Sequence, residues 1–197
     1  MQDWGAQRAA HLLDLHAGQR VLDACAAPGG KAAHILERAD VALTALDADA
    51  GRCAAIVRNL ERLGLAAAVC NADCTRLESW WDGAPFERIL ADVPCSSSGV
   101  ARRHPDVKWL RRASDLPGFA ARQRAILEAL WQALAPNGKL LYVTCSVFSQ
   151  ENEALLQSFI AHAPDVRRLP LPHGEREQWL PGPEHDGFFY ALIQKTA

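Results

Sequence analysis

No two cysteines of this chain of 197 residues stand at C-x-x-C spacing, which argues against a zinc finger or a disulfide framework. The six cysteines, Cys25, Cys53, Cys70, Cys74, Cys95 and Cys145, are expected to be free thiols. Cys70 and Cys74 lack a second Cys/His pair at finger spacing, so no metal site is expected. No apolar run approaches the length of a membrane span, and polar residues interrupt Met1 to His16 too often for a signal peptide. A cytoplasmic chain is therefore expected. Repeats and low-complexity segments are absent. A strong charge bias is missing too: the formal net charge is -2, whereas a dedicated nucleic-acid binder is usually basic overall. Any such binding has to rest on local charge. What the chain has in quantity is apolar residues, 49% of the total, enough for one α/β domain with one core.

Apolar runs alternate with helix-period segments, the pattern of a doubly wound parallel sheet. An opening helix is expected around Gln7 to Leu15. Arg20 to Ala24 reads as a buried strand, Pro28-Gly29-Gly30 as a tight turn, and Lys31 to Arg38 as a helix. Strand, glycine turn and helix N-terminus together make a ligand cradle. Neither common phosphate motif fits it. A P-loop needs glycine and Ser/Thr where Cys25 and Ala32 stand, and a dinucleotide fingerprint needs a third glycine. A ligand with little phosphate is left, and S-adenosylmethionine meets that description; a bare turn that binds nothing is the competing reading.

Val41 to Leu46 is the second expected strand, and Asp47 at its tip is placed to accept hydrogen bonds from ribose hydroxyls. Asp49 caps the next helix, which Gly64 ends. Ala66 to Cys70 is a short third strand, after which Asp73 can meet an adenine amino group or be a solvated loop carboxylate. Phe86 to Ala91 is the fourth, leading into Asp92-Val93-Pro94-Cys95, and Lys139 to Thr144 is the fifth, leading into Cys145-Ser146. Neighbouring strands lie ~4.8 Å apart, so these two bring both thiols to one cleft if they are adjacent. Two buried core cysteines are the plainer alternative. Between them, five Arg or Lys residues fall within eleven positions, Arg102, Arg103, Lys108, Arg111 and Arg112, with His104 and Trp109. Pro105 makes this stretch a loop rather than a helix face. Its cations suit phosphates and Trp109 offers a stacking surface. Pro117 opens a long amphipathic helix that Pro136-Asn137-Gly138 closes. Ser149 is expected to cap a helix starting near Glu151, Val166 to Leu169 to form an edge strand, and Asp186 to Ile193 the last strand.

Five segments carry a resemblance: Asp23 to Lys31, Asp92 to Cys95, Arg102 to Trp109, Thr144-Cys145-Ser146, and Asp186 to Ala191. With them the chain resembles the RNA 5-methylcytosine methyltransferases of the NOL/NOP/Sun family over nearly its whole length. The resemblance implies a class I S-adenosylmethionine-dependent methyltransferase (Rossmann-like) fold with a mostly parallel seven-stranded sheet, the last strand antiparallel. It implies that Cys25, Ala26, Ala27, Pro28, Gly29, Gly30, Lys31, Asp47, Asp73 and Asp92 hold S-adenosylmethionine. Cys145 would be the nucleophile, Cys95 would serve product release, and Asp92 and Lys31 would assist. Arg102, Arg103, His104, Lys108, Trp109, Arg111 and Arg112 would face RNA. The expected partner is RNA, 16S rRNA first, with tRNA or 23S rRNA as alternatives; no metal, no membrane and a monomer are expected. A fold-retaining RNA-binding or assembly factor without catalysis is the rival. Members usually carry an N-terminal helical RNA-binding region, so residues 1–197 read as the catalytic domain alone.

The implied chemistry needs these residue types. Carbon 5 of cytosine is a weak nucleophile, and adding a thiolate at carbon 6 makes it electron-rich. A free thiol has a pKa of ~8.5, so the site has to help Cys145 ionise. A carboxyl such as Asp92 can share the proton that neutralises the ring, and Lys31 can steady it.

Overall fold

A computed structural model of the chain describes residues 2–196. In chain order its elements are α1 (Trp4–Leu12), β1 (Arg20–Asp23), α2 (Gly30–Arg38), β2 (Ala42–Asp47), α3 (Ala50–Leu63), β3 (Ala68–Asn71), β4 (Phe86–Asp92) and the short α4 (Val107–Leu110). Then follow α5 (Leu116–Ala133), β5 (Leu134–Thr144), α6 (Glu153–His162), β6 (Val166–Leu169), β7 (Gln178–Trp179) and β8 (Phe188–Lys195). The sheet runs β3-β2-β1-β4-β5-β8-β6, with β7 beside β8. β1 to β5 pair in parallel, and β8 lies antiparallel to β5, β6 and β7. Strand order reverses between β1 and β4. At such a point the connecting chains leave on opposite faces of the sheet and open a crevice beyond the strand ends.

Both faces of the sheet are covered, so inner strands need apolar side chains on both sides. Ile89, Leu140 and Tyr142 pack on the side of α5 and α6, against Ile126, Leu130 and Phe159. Leu90, Leu141 and Val143 pack on the other, against α1 to α3 through Leu12, Ile35 and Ile56. Among the described residues no helix is long and apolar enough to cross a membrane.

Several expected boundaries shift, each for a local reason. α1 begins three residues earlier because the Asp3 side chain accepts from Gly5 N at 2.8 Å and caps it. The sheet has eight strands rather than seven, since two-residue β7 hides in a Pro-rich connection. α5 ends at Ala133, before Pro136-Asn137-Gly138, and the chain passes directly into β5. Those turn residues form an irregularity inside the strand: its register against β4 jumps between Leu134 and Lys139, and Asn137 adopts φ 61°. Ser149 caps nothing; Ser149–Glu151 is a single 3-10 turn, and α6 starts at Glu153. The basic stretch contains a short helix, Val107–Leu110, two residues after Pro105. Asp49 and Gly64 act as expected, Asp49 accepting from Arg52 N at 2.8 Å and Gly64 ending α3 in the left-handed conformation.

Candidate active site

After β1 the chain keeps bonding to both neighbouring strands: Ala24 N donates to Leu90 O and Ala26 N to Leu46 O, each at 2.9 Å. Only then does the Pro28-Gly29-Gly30 turn open α2. Gly29 has φ +96°, and a Cβ there would lie 3.1 Å from Ile56 Cα, so both conformation and the packing of α3 require glycine. At the tip of β2, buried Asp47 accepts from Ala27 N at 3.3 Å and Asp49 N at 3.1 Å. That ties the second strand end to the glycine turn.

Beyond these strand ends lies a cleft of about 410 Å³ lined by Cys25, Asp47, Asp73, Asp92, Cys95 and Cys145. Within the expected cofactor run, Cys25 and Ala27 line this cleft, whereas Ala26 and Gly29 are buried, Pro28 is exposed and Gly30 is half-buried in the turn. Asp73 accepts from Thr75 N at 3.0 Å and Thr75 Oγ1 at 2.8 Å, and these bonds hold its pKa below the usual value.

The two thiols meet. β4 and β5 are adjacent and in parallel register, and Cys95 Sγ lies 3.3 Å from Cys145 Sγ. This contact splits the pair: the hydrogen bond between them lowers the Cys145 pKa, helped by the Lys31 charge, while the same bond together with burial raises that of Cys95. Cys145 is thus the thiol closer to a thiolate. Lys31 Nζ sits 2.6 Å from Asp92 Oδ2. Burial pulls the Lys31 pKa down, but the charge and hydrogen bond of Asp92 outweigh it and hold the ammonium above its ordinary value. Beneath them Asp23 is fully buried, neither carboxylate oxygen has a hydrogen-bond partner among the described residues, and burial pushes its pKa up to about 7 against the pull of Lys31.

The basic stretch divides. His104, Lys108, Trp109 and Arg112 are exposed, Trp109 at 86%. Arg103 instead turns back on Asp186, with Nε at 2.7 Å and Nη2 at 2.5 Å from Oδ2, and Arg102 reaches Asp3 at 3.4 Å. Arg111 Nε donates to Ser96 O at 2.9 Å, bracing the loop that carries Cys95. Three of the seven residues expected to face RNA therefore also hold the protein together.

Residues outside the sequence reading also belong to the site. Cys74 lines the cleft beside Cys25, and a hydrogen bond between their thiols raises the Cys25 pKa. Arg122 and Phe119 enter from α5. Buried Glu151 stands behind both cysteine loops. Its signal was weak, since an acidic residue near a helix start reads as a solvated first-turn charge.

A doubly wound sheet alone admits many nucleotide binders, but the reversed β8 between β5 and β6 marks the Rossmann-like fold of the S-adenosylmethionine-dependent methyltransferases. Sequence comparison narrows this further. The profile of the 16S rRNA methyltransferase RsmB/F family matches residues 10–194, and the chain belongs to that family. It is 48% identical over 198 residues to ribosomal RNA small subunit methyltransferase B of Vibrio cholerae, covering 99% of this chain and 46% of the relative. The protein of the same description from Pseudomonas putida is 47% identical, with 100% and 47% covered. The chain thus spans about half the length of the curated relatives it matches. Among solved structures, NSun6 from Pyrococcus horikoshii, described with SFG, superposes with a TM-score of 0.89 at 25% identity, over 100% of this chain and 53% of that one.

Proposed function

We propose that this chain is the catalytic part of an S-adenosylmethionine-dependent RNA methyltransferase that methylates carbon 5 of a cytosine, with 16S rRNA as substrate. The observation that carries the reading is the pair of thiols at 3.3 Å in a cleft that is also lined by Cys25, Ala27, Asp47 and Asp73. The residues fit the cofactor: Asp47 is an acceptor at the tip of the second strand, and Cys25, Ala27 and Asp73 line the cleft beside it. Asp47 would hold the ribose, Asp73 the adenine amino group, and Cys25 and Ala27 the cleft wall. S-adenosylmethionine, when bound, supplies an electrophilic methyl group. The names of the Vibrio and Pseudomonas relatives support the ribosomal substrate, and an rRNA substrate places the reaction in the cytoplasm.

Cys145 Sγ, as thiolate, adds to carbon 6 of the cytosine and forms the S–C6 bond. The electron pair this displaces toward the ring is neutralised by a proton at N3, shared with Asp92, whose carboxylate Lys31 holds in place. Carbon 5 is then electron-rich enough to take a methyl group. With the assistance of Cys95 the carbon-5 proton passes to water; the carbon-5 electron pair re-forms the ring double bond, the S–C6 bond breaks, Cys145 leaves as thiolate, and the N3 proton is given up by way of Asp92. Exposed Trp109, Lys108 and Arg112 would meet the RNA.

Incubation of the full chain with 16S rRNA and radiolabelled S-adenosylmethionine tests the reading. Cys145→Ala is expected to give neither methyl transfer nor a denaturant-stable protein–RNA adduct. Cys95→Ala is expected to accumulate that adduct as a retarded band on a denaturing gel. An adduct from Cys145→Ala but not from Cys95→Ala reverses the two roles, and normal methylation by both variants removes the covalent mechanism.

A further inference from the structure

Glu151 is fully buried, yet it forms no ion pair among the described residues. Its carboxylate instead collects four hydrogen bonds: from Ser96 N at 2.8 Å, Ser96 Oγ at 2.5 Å, Ser146 Oγ at 2.6 Å and Gln123 Nε2 at 3.0 Å. Ser96 follows Cys95 and Ser146 follows Cys145. One carboxylate is therefore bonded to the residue after each thiol. Gln123 also donates to Pro94 O at 3.0 Å, on the other side of Cys95. Glu151 is itself held from below, its carbonyl accepting from Tyr142 Oη at 2.6 Å, while the next residue, Asn152, donates to Ser146 O at 2.9 Å. Four donors converge in a dry site, and a carboxylate offers four lone-pair positions to accept them.

We propose that Glu151 is a positioning residue that clamps the two cysteine loops together and sets the Cys95–Cys145 distance. This rests on the thiol roles proposed above. Proton transfer and nucleophilic attack are steep in distance, and a misplacement of about 1 Å costs on the order of 10²-fold in rate. Cys145 Sγ and Cys95 Sγ act on adjacent carbons of one ring, so both loops have to be fixed against each other rather than each against the solvent. The backbone joins them already, Gly99 N donating to Cys145 O at 2.8 Å. Glu151 adds a second tie, to the residue after each cysteine.

The distance can be read without RNA. Diamide takes two electrons and two protons from a pair of thiols, becoming the hydrazine and leaving a disulfide; peptide masses identify the Cys95–Cys145 product. Glu151→Ala should slow that cross-link by about tenfold or more, with the S-adenosylmethionine dissociation constant unchanged and turnover on 16S rRNA reduced in step. Glu151→Gln should restore both. At Oε2 the partners are two hydroxyls, which can reverse and accept from an amide NH2, while at Oε1 the amide oxygen still accepts from both N–H groups. Where Glu151→Ala does not fold, Ser146→Ala removes one arm of the clamp and should slow the cross-link severalfold. A wild-type cross-linking rate in folded Glu151→Ala or Ser146→Ala overturns the proposal. Cross-linking in the expected order from a chain that methylates no RNA leaves the clamp standing and removes the thiol roles instead.

Discussion

Asp23 makes the most quantitative demand on this structure. It is fully buried, its two oxygens lack hydrogen-bond partners, and burial raises its pKa from the ordinary 3.8 to about 7. Between those values the unfolded chain has released a proton that the folded chain retains, so stability falls as pH rises across the window and levels off above the folded pKa. Across this shift, linkage removes about 3 kcal/mol between about pH 4.5 and about pH 8. Asp23→Asn is nearly isosteric and cannot ionise. Its fixed cost or gain is independent of pH, so the pH dependence of the difference in unfolding free energy between variant and wild type isolates the carboxyl. Urea melts at intervals across that range should show Asn gaining on Asp by about 3 kcal/mol, most of it below about pH 7. A difference that stays flat, or one that favours Asp as pH rises, refutes the burial argument and means that Lys31 holds Asp23 ionised.

Further outcomes follow from single contacts. Alkylation of Cys145 by iodoacetamide should titrate with a midpoint below that of an ordinary free thiol, rising in Lys31→Met because the nearby ammonium is lost; equal titration of Cys95 and Cys145 would contradict their split. In Gly99→Ala the new Cβ would collide with the backbone of Gly187 and Cys145, so stability should drop by about 2 kcal/mol or more, read from thermal melts. Arg103→Ala strips the fully buried Asp186 of its main partner and should cost about 2 kcal/mol in urea melts, a figure reduced because the Arg103 side chain is 45% exposed. RNA affinity lost in Arg103→Ala without any stability loss would instead place Arg103 at the RNA surface.

Local signals brought several expected residues to one cleft. Asp47 and Cys145 stand at the ends of apolar runs, and because the sheet is parallel every such end comes to the same edge. Gly29 was legible because its turn demands a conformation that other residues avoid. The boundary errors have the same origin: Pro136-Asn137-Gly138 is good turn chemistry wherever it falls, and only pairing with β4 decides that the turn sits inside β5. Sequence by itself therefore determined the order of the main strands and helices, the glycine turn and, to within a residue, the ends of β1 to β5, since these depend on neighbours a few positions away. Tertiary structure alone decided what lies beneath and behind those ends. Glu151 meets Ser96 across 55 residues and Arg103 meets Asp186 across 83, and such partners are chosen by the packing of the folded chain, where a buried charge has to find donors or lose its ionisation.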